Sequence, residues 1–146
     1  MTDIYRKAGV LWSGDLKNGS GLISTESQVL YEQPFTYATR FEDAPGTNPE
    51  ELIAAAHAAC FSMALASTLK KNGFDPERTD TNATCTLAST PEGHRITAME
   101  LHVRGDVPGI DEDTFNRLVM EAHDHCPVSI LLRDQIDIKI TTALFA

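Results

Sequence analysis

No run of lysine or arginine occurs anywhere in these 146 residues, and 12 basic side chains are set against 21 acidic ones for a net charge of −9. Nucleic acid and anionic membrane surfaces are repelled by such a balance. The N-terminus, "MTDIYRKAGVLWSGDLKNG", lacks the apolar stretch and small-residue cleavage site of a signal peptide. Without a targeting segment the expectation is a cytoplasmic protein, where structural disulfides are rare. Cysteine is scarce: Cys60, Cys85 and Cys126 are odd in number and widely spaced. That excludes a disulfide-stapled secreted scaffold and a C-x-x-C zinc ribbon, and leaves free thiols as the default. Internal repeats, low-complexity tracts and dividing linkers are missing as well. With 42% apolar and 23% charged residues, one domain over residues 1–146 with one core is expected.

Charge is also missing from one particular place. Between Leu52 and Leu69 the only ionisable side chains besides Cys60 are those of His57. The run is long enough for a membrane span, yet alanine rather than leucine dominates it, and His57, Ser62, Ser67 and Thr68 interrupt it. A helix buried all round inside a soluble protein is the expectation. Its ends are well marked. Asn48 suits the N-cap, Pro49 the first helical position, and Glu51 stands three residues on as a capping-box partner. Lys70 and Lys71 occupy the last turn and Gly73 is the stop. About 24 residues span roughly 36 Å, enough to cross a small domain.

Strands flank this helix. "YRKAGVLW" and "LISTES" surround the hairpin signal Asn18-Gly19, and "QVLYEQ" and "FTYATRF" follow, with Pro34 marking an edge or bend. After the helix, "TDTNATCTLAST" alternates with Ala83, Cys85 and Leu87 on one face, and Pro91-Glu92-Gly93 turns the chain. "RITAMELHVRG" returns with Thr97, Met99, Leu101 and Val103 aligned. A second helix starts near Asp111, carries Phe115, Leu118, Val119 and Ala122 on its inner stripe, and ends before Pro127. "DQIDIKITTALF" closes the chain as a strand with Ile136, Ile138 and Ile140 aligned. The order points to an α+β fold of antiparallel sheets around a long central helix.

The residues alone leave the chemistry open. Cys60, in the middle of the charge-free run, is either a small buried hydrophobe or a nucleophile whose activating cation comes from elsewhere in the fold. Cys126 precedes a proline able to start a helical turn, an N-cap position that favours a thiolate, but a structural cysteine fits there too. His57, three residues before Cys60, shares its helix face and so offers itself as a base for a Cys/His hydrolase. His57, His123 and His125 also raise a zinc alternative, although "HDHC" is too tight to supply three ligands from a regular helix. Cys85 reads as core.

"GTNPEELIAAAHAACFSMAL" followed much later by "HCPVS" resembles the OsmC/Ohr family of organic hydroperoxide reductases. "WSGDLKNGSGLISTES", "RFEDAPGTNPEELI" and "VPGID" extend the likeness over nearly the whole chain and resemble the OsmC branch. The resemblance implies a cysteine peroxidase without metal or haem cofactor, built as an intertwined homodimer. Carried over by motif, Cys60 is the peroxidatic cysteine, Cys126 the resolving one, Glu50 of "NPEE" the acid, and Arg40 of "TRFE" the arginine that activates the thiolate. It further implies organic hydroperoxide as substrate and a dithiol, a lipoyl group, as reductant; the acidic charge balance, separately, argues against a nucleic-acid or membrane partner.

Glu50 and Cys60 are ten residues apart, roughly 15 Å along a helix, so a site using both draws Glu50 from a second chain. A redox sensor on the same fold, in which the thiols report oxidation without turnover, is the competing reading. A Cys/His or zinc-dependent hydrolase is the third.

Overall fold

In the computed structural model, which describes residues 2–145, the chain forms two compact units, Met1–Leu52 and Ile53–Ala146. The first is built on a small antiparallel sheet. Strand β1 (Ala8–Ser13) pairs with β2 (Ser20–Thr25), and β3 (Gln33–Phe35) pairs with the other side of β2. The turn at Asn18-Gly19 is fastened to Asp15, whose Oδ1 accepts from the Asn18 N–H at 2.7 Å and whose carbonyl accepts from the Gly19 N–H at 2.9 Å. Pro34 lies in the edge strand β3, where a missing N–H breaks no central ladder.

Two stretches expected as strands depart from that form. "QVLYEQ" is irregular up to Gln33, because Gln28 and Glu32 adopt positive φ (62° and 48°) that no strand accommodates. "FTYATRF" ends β3 at Phe35 and then forms helix α1 (Tyr37–Phe41). A capping box explains the turn. Thr36 Oγ1 accepts from the Thr39 N–H, and Thr39 Oγ1 accepts from the Thr36 N–H at 2.9 Å. Side-chain bonds to the local backbone outweigh the β-propensity of threonine and phenylalanine here. Arg40 therefore sits in the last turn of a helix.

Helix α2 (Pro49–Lys71) has the expected ends. The Glu51 N–H donates to Asn48 Oδ1 at 2.8 Å, and Gly73, at φ 87°, lets the Phe74 N–H reach back to the Leu69 carbonyl at 3.0 Å. Burial all round is not what it shows. His57, Phe61, Leu65, Thr68 and Leu69 form one buried stripe, while Ala55, Ala56, Ala59 and Ala66 are exposed and Met63 is 76% exposed. A helix apolar on every side has no polar face to turn outward, so its second apolar face is left open in the single chain. Among the described residues α2 is the one helix long and apolar enough to cross a membrane. Its inner stripe is instead packed into a protein core.

That core belongs to the second unit. Strands β4 (Arg78–Thr90), β5 (Gly93–Asp106) and β6 (Asp137–Leu144) lie in the order β4-β5-β6. The β4–β5 pair is antiparallel and the β5–β6 pair parallel, so antiparallel pairing does not extend to the last strand. A parallel neighbour needs a long crossover, here supplied by helices α3 (Glu112–His125) and α4 (Pro127–Leu132). Met99, Leu101 and Val103 of β5 face Phe61, Leu65 and Leu69 of α2 and Phe115, Leu118, Val119 and Ala122 of α3 in one buried cluster. Burying each large side chain contributes about 1.5–3 kcal/mol. Thr97 leaves the face it was expected to share and is exposed. The pairing steps from Thr86↔Ala98 to Leu87↔Ile96, so Thr97 is a bulge residue that reverses the alternation. Helix α3 lies close on β5 at Gly105, where a Cβ would stand 2.6 Å from the Phe115 ring.

Candidate functional site

Four side chains carry the expected chemistry, and they fall into two pairs, one in each unit. In Met1–Leu52, capping brings α1 and the first turn of α2 together. Asn48 both caps α2 and donates from Nδ2 to the Thr39 carbonyl at 3.0 Å. The result is a close ion pair: Arg40 donates from Nη2 to Glu50 Oε1 at 2.7 Å and from Nε to Oε1 and Oε2 at 3.1 and 3.3 Å. The Glu50 side chain is 9% exposed and that of Arg40 35%. A fork of this kind fixes the plane of the guanidinium. Glu51, by contrast, is exposed and joins the cap through its backbone N–H alone, so the expected return bond from its carboxylate is not formed.

In Ile53–Ala146, helix α2 presents Cys60 to the junction of α3 and α4, where Cys126 is fully buried. Both thiols are free. Pro127 does begin a helical turn with Cys126 at its N-cap, as expected, yet the Cys126 thiol makes no capping hydrogen bond. The Val128 N–H instead lies near enough to Cys60 to favour its thiolate. Burial pushes the Cys60 thiol above its ordinary pKa; the Val128 N–H works against that shift, and the neighbouring Cys126 thiol adds to it. The two thiols are thus neighbours, and burial favours the neutral form of Cys60. A nucleophilic Cys60 needs a cation to offset burial.

A cleft of about 480 Å³ opens on Cys60. Met63, Ala64 and Pro127 give it apolar walls, and Lys71, Glu121 and His125 bring charge and polarity to it. A larger cavity of about 630 Å³, beside Lys7, Thr25 and Glu26, holds none of the four candidate residues.

His57 is hydrogen-bonded to Ser129 and not to Cys60. Its ring is fully buried, and Nε2 shares a hydrogen bond of 2.8 Å with Ser129 Oγ of α4. Burial, and then the nearby His123, lowers its pKa below the ordinary 6.5. Among the described residues no three His, Cys, Asp or Glu side chains gather as metal ligands. Cys85, on β4 opposite Met99, packs against the core. Ser129 is the residue that the sequence did not single out. It sits inside "HCPVS", three residues after Cys126, as His57 sits three before Cys60, but no spacing rule joins positions 57 and 129 before the fold is known.

Comparison with known proteins gives one consistent result. Residues 41–141 match the family model described as OsmC-like protein. The chain is 49% identical to Peroxiredoxin OsmC of Escherichia coli (strain K12) over 133 residues, 91% of this chain and 93% of that protein. It is 35% identical to an organic hydroperoxide resistance protein of Xanthomonas axonopodis pv. citri over 67% of this chain and 68% of the other. Among solved structures, the organic hydroperoxide resistance protein OhrB of Bacillus subtilis superposes with a TM-score of 0.74 at 28% identity, covering 93% of this chain and 97% of that one. An OsmC organic hydroperoxide resistance protein from Legionella pneumophila gives 0.78 at 25% identity, over 97% and 99%.

Proposed function

This chain belongs to the OsmC-like protein family, and from that premise we propose that it is a thiol peroxidase that reduces organic hydroperoxides to alcohols. The observation that carries the reading is that Cys60 opens on a partly apolar cleft with the buried Cys126 thiol as its neighbour behind it. Relatives named as a peroxiredoxin and as organic hydroperoxide resistance proteins support the reaction class.

Cys60, as the thiolate, attacks the outer oxygen of the hydroperoxide; the O–O bond breaks, the alkoxide takes up a proton, and Cys60 becomes a sulfenic acid. Cys126 then condenses with it, giving a disulfide and water. A dithiol, of the lipoyl type, restores both thiols by exchange. Arg40 supplies the cation that offsets the buried environment of Cys60, and Glu50 holds its plane. The walls that Met63, Ala64 and Pro127 give the cleft favour alkyl hydroperoxides over small, polar hydrogen peroxide. We assign the working form to a homodimer: the open apolar face of α2 supports it, since a second copy covers Ala55, Ala59, Met63 and Ala66 and brings a second Glu50 to a site that one straight helix cannot complete.

The test is the intact mass of the reduced protein before and after one equivalent of cumene hydroperoxide, with peptide mapping. Loss of two hydrogens in a Cys60–Cys126 link, absent in Cys60→Ser, is expected, followed by turnover with a dithiol. Oxidation without turnover would turn the reading into a sensor. Two thiols that stay free would end it.

A further inference from the structure

We propose that the buried hydrogen bond between His57 and Ser129 sets the approach of Cys126 to Cys60, making these two side chains positioning residues for disulfide formation. The inference rests on the peroxidase reading for its biological use, but its geometry stands on the second unit alone.

His57 lies one turn before Cys60 on α2, and Ser129 one turn after Cys126 on α4. Residues three apart share a helix face, so the bond of 2.8 Å joins the same two segments that carry the neighbouring thiols Cys60 and Cys126. Both side chains are fully buried. Helix α4 needs such a tie. It has six residues and no side-chain cap at its start, too short to hold its own place. His57 has no competing polar partner, since its buried Nδ1 is without one among the described residues. Burial, and then His123, lower the pKa of the ring below the ordinary 6.5, which favours its neutral form.

An apolar pair at these positions would fill the space without any polar group to desolvate. A hydrogen bond adds what packing lacks, a fixed distance and direction. Disulfide closure demands both, because Cβ atoms must come to about 3.8 Å with a defined dihedral. The step itself balances simply. The Cys126 sulfur attacks the Cys60 sulfenyl sulfur, the S–S bond forms, the S–O bond breaks, and hydroxide leaves with the thiol proton as water. Its competitor is a second hydroperoxide molecule, which oxidises the same sulfenic acid to sulfinic acid and is itself reduced to alcohol. Loosening α4 shifts the outcome from the first path to the second.

The experiment compares wild type, Ser129→Ala, His57→Leu and His57→Gln, whose amide nitrogen can replace Nε2. Two readouts are taken on the full chain. One is the ratio of disulfide to sulfinic acid across a cumene hydroperoxide titration, read by intact mass. The other is the equilibrium between the dithiol and the disulfide in a dithiothreitol redox buffer, which involves no peroxide. Ser129→Ala and His57→Leu are expected to lower the effective concentration of Cys126 at Cys60 about tenfold and to raise the sulfinic fraction. His57→Gln should recover most of both. If His57→Leu does not fold, Ser129→Ala against His57→Gln still decides. Wild-type values in folded Ser129→Ala on both readouts overturn the inference. A wild-type protein that ignores hydroperoxide, while Ser129→Ala still shows the tenfold loss in the redox buffer, sinks the peroxidase reading and leaves the positioning role standing.

Discussion

The two units of this chain differ in how much apolar side chain they bury. In Ile53–Ala146 a continuous apolar cluster takes in Phe61, Leu65, Leu69, Met99, Leu101 and Phe115. In Met1–Leu52 the one buried large apolar residue among those described is Ile23, and the other buried side chains are Thr39 and the carboxylate Glu50. Val10 and Leu11, at 59% and 66% exposure, show that β1 presents apolar groups outward. A unit with so little apolar burial gains little stability from its own interior. The chemistry divides along the same line, a cation–carboxylate pair in one unit and a dithiol in the other.

Substitutions at the two pairs break the comparison most severely. Cys60→Ser should lower peroxidase turnover by at least about a thousandfold, because serine offers no comparable nucleophile and no sulfenic acid. Arg40→Ala should cost about a hundredfold in the rate of Cys60 oxidation, the usual scale for losing one charged stabilising group. Glu50→Gln should cost less, since the amide still accepts from Nη2. Stopped-flow consumption of cumene hydroperoxide checks all three. Equal losses for Arg40→Ala and Glu50→Gln would mean that the carboxylate does more than hold the guanidinium.

Stability separates the units next. Leu65→Ala empties a fully buried position and should lower the unfolding free energy by about 2–5 kcal/mol. Leu11→Ala should change it by no more than about 0.5 kcal/mol if the residue is as exposed in solution as in the single chain. Urea denaturation at two protein concentrations decides between that outcome and a second copy covering β1. A large, concentration-dependent loss in Leu11→Ala would show the latter.

What could be read from the sequence follows the same division. The ends of α2, the inner stripe of α3 and the alternation of β4 rest on local rules, and Asn48, Gly73, Asp111 and Ala83 obey them. Thr97 escaped because a bulge depends on the partner strand, and the parallel pairing of β6 because direction is a property of the crossover. Helix α1 escaped because the Thr36–Thr39 box competes with strand propensity over only five residues. Of the site, the cysteine pair and the Arg40–Glu50 pair were legible through family motifs. The His57–Ser129 bond, joining residues 72 positions apart, was not.

Smaller effects come from pH. All five histidines lie beyond residue 53, so any response between pH 5.5 and 7 from imidazole belongs to the second unit. Burial lowers the pKa of His57 and of His123 below the ordinary 6.5. The unfolded chain then binds protons that the folded chain refuses, so stability is fully present above about pH 6.5 and declines as pH falls below it. The urea midpoint should drop between about pH 7.5 and about pH 5.5, and drop less in His57→Gln. A slope unchanged by that substitution would move the effect to His123.

The finest comparison sets one helix cap against another. Asp111 accepts from the Thr114 N–H at 2.7 Å to start α3, and Thr36 starts α1. Removing either cap costs about 1 kcal/mol of stability by the general rule. Their consequences should nonetheless differ. Helix α3 has four buried apolar residues to hold it, so Asp111→Ala should lower the melting temperature and leave hydroperoxide turnover where it was. Helix α1 has five residues, one of them buried, and carries Arg40 in its last turn. Thr36→Ala should therefore reduce turnover a fewfold through the angle of the guanidinium, even where the melting temperature hardly moves. If both variants lost stability alone, the Arg40–Glu50 fork would be holding α1 in place without help from its cap.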